Sequence, residues 1–439
     1  MERISVPFTG QGAGIGELTW GQQQVWRAMV EVGSSMSMGG VVPVQDGRAV
    51  GDFVEELRFF LSRYPAMRAL LRIAPDGTTT QEVFDRGEAA LEVHTAPDAG
   101  SAGALAAEVY AGWRARNFDY TREWPIRMAV VRAGADGPVT HVVVMVCHVA
   151  TDGGGLGIMV RDLARRGTDL PPAMGPLELA AAQGRAARHT DNAMRYWEAQ
   201  LRAIDPQRFA GYRDPEGARF RQLVFRSPAL HLAAERLAAH LGVDAAPVVL
   251  AAYAVAFGRV TGGSPFVSQV IVSNRFRPGL AEVVSPLAQN GLVVVDVKGV
   301  TAAEAVRRAG QASMSASKYA YYDNAARLAL IDRIGKDHGE PIDLAVLHNE
   351  RRLALRAPET VPDEAAIRAA RPATERVSEV PMVYFNEKLM LNIDDVPGTA
   401  QITTEVDTAY LPISDTWELL SEMERFAVEG ALDPQASTF

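Results

Sequence analysis

The stretch that most constrains this chain is HVVVMVCHVATDGGGLGIMVRDLARR, residues 141–166. Val142 to Val146 form an unbroken apolar run. A strand without polar alternation needs cover on both faces, so the fold must supply apolar layers above and below it. Cys147, the only cysteine, and His148 stand at its end, and Asp152 with three glycines follows. Leu156, Met159, Val160 and Leu163 then recur at i, i+3, i+4 and i+7, which predicts a helix. Polar residues between a strand end and a helix start are a common place for chemistry in α/β proteins. A structural reading stands beside it. Asp152 would cap the helix, the glycines would make the turn, and His148 would be an interior histidine with its hydrogen bonds met.

Helical and strand patterns alternate along the rest of the chain, so the class is mixed α/β. GDFVEELRFFLSRYP carries Phe53, Leu57, Phe60 and Leu61 at helical spacing and ends at Pro65. PIRMAVVRA and THVVVMVC read as strands joined by the turn-rich GADGP. ALHLAAERLAAHLG and DAAPVVLAAYAVAFGRVTG read as helices closed by glycine. PFVSQVIVS and GLVVVDVKG read as strands. Residues 349–380, rich in charge, alanine and proline, read as an exposed excursion or a loosely ordered loop. GTDLPPAMGP breaks the pattern and places a domain boundary between about 167 and 195.

The balance of 44 basic and 53 acidic residues gives −9, which argues against a surface built to wrap nucleic acid. One cysteine makes no internal disulfide. The N-terminus lacks the apolar core of a signal peptide. The oiliest runs are far shorter than the ~20 residues of a membrane span. These features lead to the expectation of a cytoplasmic protein without a membrane or nucleic-acid partner. The eight histidines are scattered and no H-E-x-x-H or C-x-x-C occurs, so no metal site is expected. GQGAGIG near residue 10 has the glycines of a dinucleotide loop, but no strand is evident before it, and a flexible N-terminal arm is expected there. A thiol nucleophile at Cys147 is disfavoured, because adjacent strand residues point to opposite faces and the thiol would not meet His148.

CHVATDGGG resembles the H-H-x-x-x-D-G signature of condensation domains, the amide-forming domains of nonribosomal peptide synthetases, and of the wider superfamily related to chloramphenicol acetyltransferase. LTWGQQQVW resembles the family's opening L-T-x-x-Q-x-x-x-W. LSRYPAMRALLRI, RNFDYTREWPIRMAVVR, YWEAQL, PVVLAAYAVAFGRVTGGSPFVSQVIVSNR and VSPLAQNGLVVVDV resemble further family segments, in family order, over nearly the whole chain. Three departures stand out. The first motif histidine is Cys147, the glycine and asparagine of the "iG…N" segment are altered, and the later "HQD" triplet is absent where YAYYDNAARL stands.

The resemblance implies two chloramphenicol-acetyltransferase-like subdomains, residues 1–175 and 176–439, set as a V-shaped pseudodimer with a central tunnel. It implies a free-standing condensation enzyme of natural-product biosynthesis. The acyl donor would ride on the phosphopantetheine of an acyl or peptidyl carrier protein, and no cofactor would be held permanently. The acceptor would be an amine or alcohol, free or carrier-bound. His148 would be the base or position the nucleophile. Asp152 would point away from substrate and pair with an arginine, Arg275 first and Arg277 second. Gly153 would allow the tight turn and offer its N–H to the oxyanion. Two other readings keep the fold, one with coenzyme A as donor and one as a non-catalytic docking module. The intact His148, Asp152 and Gly153 favour catalysis. The missing first histidine favours docking. Arg161 and Arg165, at i and i+4, share a helix face near Arg166, read either as a seat for the carrier protein or as a solvated face.

Overall fold

In the computed structural model, which describes residues 1–352 and 360–439, the chain forms two compact units. The first comprises Met1–Ala187 with Ser273–Gln289, and the second Arg188–Val272 with Asn290–Phe439. The class is α/β, as the alternating patterns predict.

The first unit runs β1 (Glu2–Thr9), β2 (Gly14–Glu17), α1 (Trp20–Val32), β3 (Met38–Pro43), α2 (Val50–Arg63), β4 (Ala69–Ile73), β5 (Thr79–Val83) and β6 (Arg86–Ala96). It continues with α3 (Ala99–Arg114), β7 (Ile126–Ala133), β8 (Val139–Val146), α4 (Gly153–Ala164) and α5 (Pro176–Gly184). The main sheet has the order β1-β6-β7-β8-β3. β8 pairs antiparallel with both β7 and β3, yet it is buried on both faces like a strand of a parallel sheet. Val142 and Val146 pack with Phe53, Leu57 and Phe60 of α2. Val143, Met145 and Cys147 pack on the other side with Ala102, Ala106 and Trp113 of α3. Each large side chain so buried contributes about 1.5–3 kcal/mol.

The second unit runs α6 (Ala187–Leu201), β9 (Phe220–Ser227), α7 (Pro228–Leu241), α8 (Ala245–Thr261), β10 (Phe266–Val272), β11 (Gln289–Val295), α9 (Ala302–Lys318) and α10 (Asn324–His338). It ends with β12 (Val346–Glu350), α11 (Glu364–Ala370), β13 (Glu375–Met382), β14 (Leu389–Asp394), β15 (Ala400–Asp407) and α12 (Ile413–Leu432). The sheet order is β11-β10-β12-β14-β15-β9-β13. α8 is buried from Val248 to Gly258 without a polar face, as a core helix must be. Gly242 and Gly262 close α7 and α8 in the left-handed conformation.

Three expectations are corrected. A strand, β1, does precede GQGAGIG, and it pairs with β6 from Glu2 to Thr9, so the N-terminus is an ordered sheet edge rather than a flexible arm. Gly12 at φ +83 and Gly14 at φ +150 turn the chain into β2, a strand and not the helix of a dinucleotide loop. Within 349–380 the described residues are largely exposed, in keeping with an exposed excursion, but they form elements rather than a loose loop: Asp363 caps α11 and Ile367 is buried, while β13 pairs with β9 as an edge strand. Its charge and Pro381 suit an edge that faces solvent. Residues 353–359 of that expectation lie outside the described residues. On α4 the buried face is Gly155, Ile158, Met159 and Asp162, whereas Val160 is 61% exposed. The apolar stripe read from sequence was therefore turned by about one residue, because it left out a glycine and an aspartate that face inward.

Candidate active site

His148 sits just past the end of β8, in a tight turn closed by the Ala150 N–H donating to the Cys147 carbonyl at 3.1 Å. The half-buried imidazole places Nδ1 2.9 Å from the carbonyl oxygen of Thr151. A carbonyl only accepts, so in the neutral ring Nδ1 carries the proton and Nε2 carries the lone pair. Gln22 steadies this turn. Its side chain donates to the Val149 carbonyl at 3.2 Å, and its Oε1 accepts from the Thr19 N–H, completing the capping box of α1.

Asp152 is the N-cap of α4 and is buried. Its Oδ1 accepts from the Gly155 N–H at 2.8 Å and from Arg275 Nη2. Its Oδ2 accepts from the N–H groups of Leu287 at 2.9 Å and Ala288 at 3.3 Å. Capping and ion pairing are thus the same carboxylate used twice, and a buried charge is tolerable because both oxygens are filled. Arg275 follows Asn274, which adopts φ 57, a region asparagine tolerates better than most residues. Asn274 also donates to the Leu287 carbonyl at 3.0 Å and accepts from Arg277 Nε at 2.9 Å. Arg277 therefore braces the turn, and Arg275 is the partner of Asp152.

The glycine requirement falls elsewhere than expected. A Cβ on Gly153 would meet nothing within 4 Å. On Gly154 it would lie 2.2 Å from Arg275 Nε, and on Gly155 2.2 Å from Thr151 Oγ1. Gly154 and Gly155 let the arginine lie against the start of the helix, while Gly153 is open. Cys147 is buried, and that burial pushes its thiol up to about 12. At neutral pH such a thiol is neither nucleophile nor metal ligand.

The condensation-domain family model matches residues 20–329, more than half of the chain. The chain belongs to the condensation-domain family. Solved condensation domains share its fold. The one described for chain release from the enacyloxin polyketide synthase aligns with a TM-score of 0.73 and 18% identity over 96% of this chain and 84% of that chain. SgcC5 from Streptomyces globisporus aligns with 0.72 and 16% identity over 96% and 100%. The X-domain from teicoplanin biosynthesis aligns with 0.70 and 18% identity over 96% of each chain. At these identities the likeness concerns the fold. No curated protein sequence matches this condensation domain.

Of the basic helix face, Arg161 is engaged by acidic partners. Arg161 donates to both oxygens of Glu282 and to Asp162 Oδ1, and Arg166 lies 3.8 Å from Glu56. Asp162 also accepts from Tyr64 at 2.9 Å and Arg63 at 2.8 Å, which ties α4 to α2. Burial pushes the Asp162 carboxyl up, but the bonds from Tyr64, Arg161 and Arg63 outweigh it and hold the group below its ordinary range. Sequence reading missed Asp162 because a polar residue was counted as solvent-facing. It missed Asn274 although an asparagine beside an expected strand end was the available signal.

Proposed function

We propose that this condensation domain transfers an acyl group from a phosphopantetheine thioester on a carrier protein to an amine or alcohol acceptor. The observation that supports this reading is the Nδ1 contact of His148 with a carbonyl, which leaves Nε2 as a proton acceptor at the strand end. His148 takes the proton from the attacking amine or hydroxyl as the new bond to the thioester carbon forms. When the tetrahedral intermediate collapses, the C–S bond breaks and the pantetheine thiolate leaves with the proton. Asp152 and Arg275 touch neither reactant. They fix α4, and so the backbone around His148, and the Gly153 N–H at the exposed first turn is a donor for the developing oxyanion. No acyl-enzyme is required, in keeping with a Cys147 thiol held protonated.

The test is thiol release and product formation from an acylated carrier protein, compared with the same acyl group on coenzyme A. His148→Ala should lower the rate by about 10²–10⁴, the usual worth of a general base, with an unchanged melting temperature. Intact-mass spectrometry should show no acyl group on the protein. A variant that keeps most of the rate, or an acylated Cys147, would overturn the assignment. Faster transfer from coenzyme A would replace the carrier protein as donor. A second reading, docking without catalysis, draws on the replaced first histidine and on the likeness to the teicoplanin X-domain, which has been solved in complex with OxyB. Turnover by neither donor would favour it.

A further inference from the structure

The sheet of the second unit has two unlike faces. Leu223, Phe225, Leu391, Ile393, Ile402 and Val406 pack into the main core under α7, α8 and α12. Alternate residues must point the other way, and there the strands carry Gln222, Glu405, Asn392 and Asn349, one from each of β9, β15, β14 and β12. Gln222 lies directly across from Glu405, and Asn349 directly across from Asn392. Asn349 donates to Asn392 Oδ1 at 3.0 Å, Asn392 donates to Glu405 Oε2 at 2.7 Å, and Gln222 donates to Glu405 Oε1 at 3.1 Å. A carboxylate only accepts, so the amides on either side are forced to turn their N–H groups toward it. Glu405 thus takes a donor from each side, Gln222 on one oxygen and Asn392 on the other.

What the row lacks is a cation. The neighbouring carboxylate on this face, Asp394, has its arginine, Arg351, at 3.1 Å. Glu405 has no ion pair among the described residues. It is half-buried, and burial, the largest influence on it, pushes its pKa up against the smaller pull of Gln222, Arg351 and Asn392. Two neutral donors leave a carboxylate with unused acceptor sites, and an unpaired carboxylate removed from water is costly. A purely structural row would be served as well by a neutral side chain.

We infer that Glu405, held by Gln222 and Asn392, is a recognition site for the cationic amine of a ligand. The ligand is named by its charge alone, and the inference does not rest on the function proposed above. The experiment titrates the full-length protein at neutral pH with benzylamine and with benzyl alcohol, which share a shape and differ in charge. The amine should bind at least about tenfold more tightly, the discrimination one charge-assisted hydrogen bond gives. Glu405→Gln should erase that preference and leave the alcohol's affinity and the melting temperature unchanged, since Gln222 can turn its amide to accept. Equal affinities in the parent protein, no measurable amine binding, or a preference that survives Glu405→Gln would each overturn the site. Because no turnover is needed, an amine preference in a protein that transfers no acyl group would reject the enzymatic reading and leave this one standing.

Discussion

A single carboxylate carries much of the local architecture around His148. Asp152 receives four donors, from Gly155, Arg275, Leu287 and Ala288. Removing one partner of a buried pair leaves the other charge stranded, so Asp152→Ala should lower the stability of unfolding by about 3–5 kcal/mol in urea titration. A loss under 1 kcal/mol, the worth of an exposed pair, would show that the cluster is not the anchor described. The glycines separate the same way. Gly154→Ala places a methyl group 2.2 Å from Arg275 Nε and should sharply reduce soluble yield, whereas Gly153→Ala meets open space and should retain the parental melting temperature. The motif letters pointed to Asp152 and Gly153. Only the positions of Arg275 and Thr151 show that the glycines sterically required are the next two, Gly154 and Gly155.

Among elements, long patterned segments were legible and short or mixed ones were not. α2, α7, α8, β7, β8 and β10 follow from periodicity, because burial of one stripe or a whole strand dominates their composition. α4 was recognised as a helix, but its inward face includes Asp162, whose carboxylate is buried with donors from Tyr64 and Arg63 outside the helix and from Arg161 beside it. No periodicity reveals partners of that kind. β1 and β13 were missed since edge strands carry polar residues, and the glycines after β1 look like flexibility when they serve a turn. The true face of α4 has a simple check. Val160→Asp should be nearly neutral, and Ile158→Ala should cost about 2–5 kcal/mol, the range for a truncated core side chain. Reversed magnitudes in thermal unfolding would restore the stripe read from sequence.

Over the whole molecule, stability should depend on pH through a histidine far from His148 in the chain. His348 on β12 is buried near Tyr253, and burial lowers its pKa to about 4, with Glu350 raising it and Arg352 lowering it to lesser degrees. Unfolded, a histidine titrates near 6.5, so between that value and about 4 the unfolded chain binds more protons. Stability is therefore complete above pH of about 6.5 and falls as the pH drops toward 4, by up to about 3 kcal/mol. His348→Phe should flatten that part of a urea-midpoint profile, and an unchanged profile would exclude His348 as its source. The order of the chain has a different consequence. Arg275 lies 123 residues beyond Asp152, in the segment that leaves the second unit after β10 and belongs to the first. On the ribosome, the first 187 residues emerge with an aspartate whose arginine has not yet been made. The nascent chain must wait for β9 and β10 of the second sheet before its own first unit can close, so a synthesis halted between the two would present chaperones with a first unit whose Asp152 lacks Arg275, Leu287 and Ala288 and whose core lacks Val284.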